Sequence, residues 1–174
     1  YFRDQIRVEV NRILEDYPKP DGSSYDIYTD GLKIYTSIDP RLQQYAEEAV
    51  NTHMPVLQDA FYKNWEKRGT PWGGKKVLEQ AKKNSRRYKQ LVAKGKTEEE
   101  IDAIFEQPLS MQIFSWEKGD TIMQMSPLDS LKYYLTIINT GFLAMEPHTG
   151  LVRAWVGGIN HKYFQYDHVR SRRQ

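Results

Sequence analysis

Phe2, Ile6, Val10, Ile13 and Leu14 recur at near-helical spacing between charged residues, which predicts an amphipathic helix over 1–16. Pro18 and Pro20 stop that helix near Tyr17, because proline cannot continue it and biases the preceding residue toward extended backbone. Residues 25–29 and 32–38 are alternating, β-branched and aromatic runs. Asp30-Gly31 between them predicts a hairpin turn. Asp39-Pro40 reads as an N-cap followed by the first helical residue. Leu42, Tyr45, Ala46, Ala49 and Val50 supply the buried stripe. Pro55 is expected to end or kink this helix, ahead of a second helical stretch marked by Val56, Leu57, Phe61 and Trp65.

Farther along, 69–74 reads as a loop. Residues 75–96 carry nine Lys or Arg against one acid, Glu79. Thr97 and Glu100 have the spacing of a capping box opening an acidic helix that stops before Pro108. Antiparallel pairing of the basic and acidic helices is expected to leave little net field. Two strands, 111–116 and 121–125, flank a turn at 117–120. Ser126-Pro127 starts another helix, with Leu128, Leu131, Tyr134, Leu135 and Ile138 on its apolar face. Two apolar strands, 142–146 and 151–156, close the pattern, joined by 147–150 and ending in Gly157-Gly158. The fold class is α+β.

Composition adds a few exclusions. The chain has 174 residues, 39% hydrophobic and 28% charged, which fits a folded globular protein. Cysteine is absent, so disulfides, thiol catalysis and cysteine-based zinc sites are excluded. The formal net charge of +2 points to no strong polyanion partner from the total alone. No apolar run approaches the ~20 residues of a membrane span. The start, Tyr1-Phe2-Arg3-Asp4, lacks signal-peptide features and an initiator Met, so the chain reads as an excised segment.

Three segments, in order, carry a resemblance. Tyr1-Phe2 with the first helix looks like the exit from a peptidoglycan glycosyltransferase domain. Gly31-Leu32-Lys33-Ile34-Tyr35-Thr36-Ser37-Ile38-Asp39-Pro40-Arg41-Leu42-Gln43, then Ala46-Glu47-Glu48-Ala49, closely resembles the linker of class A penicillin-binding proteins. That linker reads G-L-x-I-x-T-T-I-D-P-x-L-Q and then A-x-x-A, with Ser37 standing here for a second Thr. Residues 141–158 are similar to the first two strands of the family's transpeptidase domain. In the family, R-Q-P-G-S-x-x-K follows soon after. Here the last residues are Arg172-Arg173-Gln174, so the end is expected to fall about three residues short of the nucleophilic serine. Residues 58–125 resemble no family by eye.

The resemblance implies a linker over 1–57 (helix, hairpin, helix), an insertion of unknown role over 58–125 (mostly helical, with a small hairpin), and the truncated, two-strand start of a transpeptidase domain over 126–174. That last sheet would lack its remaining strands and leave an apolar edge, an association hazard.

Several residue patterns could carry chemistry, and each has a simpler reading. Ser115-Trp116-Glu117-Lys118 matches S-x-x-K, but it ends a strand, whereas the penicillin-binding motif needs a helix start that sets Lys one turn from Ser. It also precedes the Val-Gly-Gly strand that the family's motif follows. His148-Thr149-Gly150 echoes K-T-G but sits in a turn. Glu47-Glu48 and Glu98-Glu99-Glu100 read as solvated helix faces and helix-dipole partners. His53, His148, His161 and His168 have no metal-site spacing. Phe61, Tyr62, Trp65, Trp72 and Trp116 suit a carbohydrate platform or, more simply, core packing. The basic run 75–96 suits an anionic partner or a solvated helix; no nucleic-acid-reading motif accompanies it.

The expectation is therefore a non-catalytic piece of a peptidoglycan synthase, with no catalytic residue, metal or cofactor of its own, that positions the parent's two catalytic domains. The parent would polymerise glycan chains and crosslink their peptides on the outer side of the bacterial cytoplasmic membrane. Its expected partners are peptidoglycan and the flanking domains, with membrane contact only through an upstream anchor. The alternative is that 58–125 docks a regulatory protein or peptidoglycan.

Overall fold

A computed structural model describes residues 1–71 and 73–170. Trp72 of the aromatic set and the tail Arg172-Arg173-Gln174 lie outside the described residues. The described chain is mixed helix and sheet, α+β as expected. It divides into two compact units: Tyr1–Thr52 with Asn139–Gln174, and His53–Ile138. The expected boundary at 125/126 therefore differs from the structural one, because the helix after Ser126 groups with the residues before it.

In the first unit, α1 spans Phe2–Glu15. The hairpin expected over 25–38 does not form; no strand is assigned there. The cause is local. The Asp26 carboxylate accepts the N–H groups of Tyr28 at 2.7 Å and Thr29 at 2.9 Å. Asp30 in turn accepts the Asp26 N–H at 2.6 Å and pairs with Lys19 at 2.7 Å. Side chains thus take the donors that a strand ladder would use. Gly31 does take a positive φ of 65°, but as the exit from this turn.

Helix α2 spans Pro40–Trp65 without a break, so Pro55 does not end it. Proline removes the hydrogen bond to the carbonyl of Asn51. Asn51 is exposed, so water can satisfy that carbonyl. Asp39 caps the start: its carboxylate accepts the Arg41 N–H at 2.9 Å, and the backbone donors of Arg41 and Leu42 hold its pKa below the usual range.

At the other end of this unit, β3 (Phe142–Met145) and β4 (Val152–Val156) pair antiparallel, with an irregularity at Ala144/Met145. Ala46 and Val50 of α2 pack with Ala144, Ala154 and Val156 to form the core.

The second unit has a different construction. The expected basic helix is two helices, α3 (Lys75–Asn84) and α4 (Arg86–Ala93). Ser85 breaks it by taking extended backbone and accepting the Tyr88 N–H as an N-cap. Helix α5 (Glu98–Glu106) opens on the expected capping box, with Thr97 and Glu100 bonding reciprocally. Its inner face carries Ile101 and Phe105, one turn apart and 1% and 2% exposed. Burial of each contributes about 1.5–3 kcal/mol. Strands β1 (Leu109–Ser115) and β2 (Gly119–Met125) form a second antiparallel pair with Met111 opposite Met123. Helix α6 (Pro127–Thr136) starts on the Ser126 cap, with Pro127 in its first turn, as the sequence predicts.

Candidate functional site

The most specific long-range structure in the first unit joins residues 37–43 to the outer edge of β4. Ser37 Oγ donates to the Val152 carbonyl at 2.8 Å. The Asp39 N–H donates to the Arg153 carbonyl at 2.9 Å. Gln43 accepts the Trp155 N–H at 2.7 Å and donates to the Trp155 carbonyl at 3.0 Å. One glutamine side chain thus imitates a strand neighbour. Gln43 also donates to Glu47 at 2.7 Å. The Arg153 guanidinium returns to the Ser37 carbonyl at 3.3 Å and reaches Glu146 at 3.3 Å. Thr149 and Arg153 together hold the Glu146 carboxyl below its usual pKa.

This seam revises the expectation of an open apolar edge. The β4 edge is covered by residues 37–43, the segment before α2 and its first turn, whereas Phe142, Leu143 and Met145 of β3 keep exposed side chains. Apart from the Asp39–Arg153 backbone bond, the seam's bonds to β4 each use a side chain, which no strand pattern announces.

Beyond the seam, Tyr1 donates through its hydroxyl to the Phe164 carbonyl and meets His161 edge-on at 4.8 Å. Trp155 Nε1 donates to Asp167 at 3.1 Å, and His168 N–H to the Gly157 carbonyl at 2.7 Å. Burial raises the Tyr1 pKa. A groove of about 810 Å³ lies here, lined by Tyr1, Gln43, Glu47, Asn51, Trp155 and His161 among others. Gln43 is already spent on Trp155, and His161 faces Asp4 at 3.0 Å. The lining mixes the carboxylates of Asp4 and Glu47 with the amides of Gln43 and Asn51 and the rings of Tyr1, Trp155 and His161.

The other candidates fall as follows. Ser115 is the last residue of β1, paired with Gly119, and Lys118 lies in the intervening turn with its N–H on Ser115 Oγ at 3.4 Å. That geometry holds a turn; it does not set a lysine amine one helical turn from a serine. Glu47 and Glu48 accept from Gln43 and Gln44 along the surface of α2. Glu98 accepts from the Tyr88 hydroxyl, raising the Tyr88 pKa. His148 lies in the 147–149 turn, and His168 meets Tyr166 edge-on at 5.0 Å. Among the described residues no group of three His, Cys, Asp or Glu is placed to hold a metal ion. Phe61, Tyr62 and Trp65 do come together, with Phe61 5.9 and 6.2 Å from its two neighbours. Trp116 instead packs edge-on to Phe114 at 5.0 Å.

The second unit also contains a buried polar clamp that the sequence did not reveal. Gln58, 3% exposed, donates to the Thr136 carbonyl at 2.9 Å and accepts the Ile138 N–H at 2.9 Å. It closes the C-terminal end of α6, where carbonyls lack helical partners. Nearby, Tyr133 donates to the Phe114 carbonyl at 2.8 Å, and burial pushes its pKa up to about 12.

No helix among the described residues is long and apolar enough to cross a membrane. Neither a curated protein nor a solved structure matches the chain. A family model does match: the penicillin-binding protein middle domain, over residues 60–138. The match begins inside the stretch that resembles nothing by eye and runs through α6, ending where the second compact unit ends. It supports a penicillin-binding protein middle segment, from a protein of cell-wall synthesis, within this chain.

Proposed function

We propose that the chain is a non-catalytic juncture of a class A, bifunctional penicillin-binding protein, and that it sets the geometry between glycan polymerisation and peptide crosslinking. The observation that carries this reading is the seam between Gln43 and Trp155. The linker-like segment does not dangle beside the first two transpeptidase-like strands; it is bonded along their edge. A chain leaving one catalytic domain is thereby given a fixed exit direction at the start of the next. Effects of this kind act through positioning, and a small misplacement of a reacting group costs much rate. The family match over 60–138 adds independent support for the parent's class of protein. The parent would work in the cell envelope, on the outer side of the cytoplasmic membrane, with peptidoglycan as its polymer.

Gln43→Leu in the parent tests the seam. It deletes both bonds to Trp155 while keeping size and helix propensity. The expected result is a several-fold drop in crosslinking of newly polymerised glycan, with acylation by fluorescent penicillin unchanged. Unchanged crosslinking would sink the positioning role. A parallel loss of acylation would show instead that the seam merely stabilises the transpeptidase fold.

A further inference from the structure

The acidic helix leaves most of the basic surface beside it uncompensated. Helix α5 takes Lys82 through Asp102, and Lys96 through Glu100. Lys75, Lys76 and Lys83 on α3, with Arg86, Arg87 and Lys89 on α4, are exposed and form no ion pair with any described residue. Their only acidic neighbour within 75–94 is Glu79. The sequence predicts mutual cancellation; the structure leaves these cations without an ion pair among the described residues, with Glu79 the one acid between Lys76 and Lys83 on α3.

Its layout is not random. On α3, Leu78, Ala81 and Lys82 turn inward, which places Lys76 and Lys83, two turns apart, on the opposite, outward side. On α4, Tyr88 and Leu91 turn inward, and Arg86 and Lys89, one turn apart, point out. Ser85 joins the helices with no further linker, so the two outward rows follow one another directly along the chain. Exposed apolar side chains lie on the flanks of these helices, beside the charged rows: Val77 is 42% exposed and Val92 48%. A surface for a soluble polyanion gains nothing from exposed valines. A lipid interface rewards both, with cations at the phosphates and short apolar side chains at the headgroup boundary.

We propose that α3 and α4 form a docking surface for an anionic phospholipid membrane, with Lys76, Lys83, Arg86 and Lys89 at the lipid phosphates. The contact is peripheral and electrostatic, and each cation adds a modest increment. It holds the middle segment against a bilayer without a spanning helix, and high salt dissolves it.

Co-sedimentation of the 174-residue chain with vesicles tests this. Vesicles of phosphatidylcholine alone should leave the protein in the supernatant; vesicles mixed with phosphatidylglycerol should pellet it, and added salt should release it. The fourfold variant K76E/K83E/R86E/K89E should bind the anionic vesicles at least about a hundredfold more weakly. The neutral variant K76Q/K83Q/R86Q/K89Q should also lose binding, and it serves if the charge reversals disturb folding. Four reversals placed elsewhere, K33E/K63E/K67E/K118E, should leave binding within a few-fold of the parent chain, which separates the patch from net charge. Three results would overturn the proposal: no difference between the two vesicle types, retained binding in the folded patch variants, or soluble polyphosphate or duplex DNA binding as tightly as the vesicles.

Discussion

Gln58→Leu is expected to destabilise the second unit by about 2–4 kcal/mol. Leucine fills nearly the same space, so the loss is not one of packing. It arises because the Thr136 carbonyl and the Ile138 N–H, both bonded to Gln58 at 2.9 Å, are left without a partner. Thr136 is buried, and its carbonyl belongs to the helix end that has no intrahelical acceptor role to fall back on. Denaturation in urea followed by tryptophan fluorescence reads the effect, since Trp65 and Trp116 both lie in this unit. A change under about 0.5 kcal/mol, the range of an ordinary surface substitution, would show that water replaces the glutamine without cost.

Gly157→Ala is expected to cost about 2–3 kcal/mol in the first unit by overpacking. A Cβ at this position would stand 2.6 Å from Asp167 Oδ1 and 2.7 Å from Tyr1 Cβ and Cγ. No real Cβ tolerates those approaches, so Tyr1 and Asp167 must move. Asp167 carries the Trp155 Nε1–H, and Trp155 carries the Gln43 seam, so the disturbance should spread into slower-exchanging backbone. Thermal unfolding with hydrogen exchange at the Trp155 amide measures both. Tyr1→Gly in the same chain should recover part of the loss, because it removes both Tyr1 atoms that the new Cβ meets; full additivity would contradict the steric account.

The elements with local signals were legible in the sequence. The capping box at Thr97, the Ser126-Pro127 helix start and the 142–156 strand pair each rest on neighbours a few residues away, and each forms. The failures share one cause, which is competition from partners that periodicity does not display. The alternation at 25–38 is real, but the carboxylates of Asp26 and Asp30 take the donors first. Of the two outcomes expected at Pro55, the ending does not occur: the carbonyl it frees is on exposed Asn51, and α2 continues. The basic run reads as balanced by its neighbouring acids, whereas among the described residues Lys82 and Lys96 alone of that run form ion pairs. The seam and the Gln58 clamp were invisible for another reason: glutamine at a long-range seam has the same letter as glutamine on a solvated face. The middle segment carries no short motif, and only the comparison with a family model found it.

Labelling with fluorescent penicillin tests the central claim, that the chain serves a penicillin-binding protein without performing its acyl transfer. The measurement compares this 174-residue chain with its full-length parent under the same conditions. The account predicts a labelled parent, with the label on a serine in an S-x-x-K context that opens a helix, and an unlabelled chain. Labelling of the isolated chain, above all at Ser115, would contradict it; so would a parent that takes up no penicillin at all.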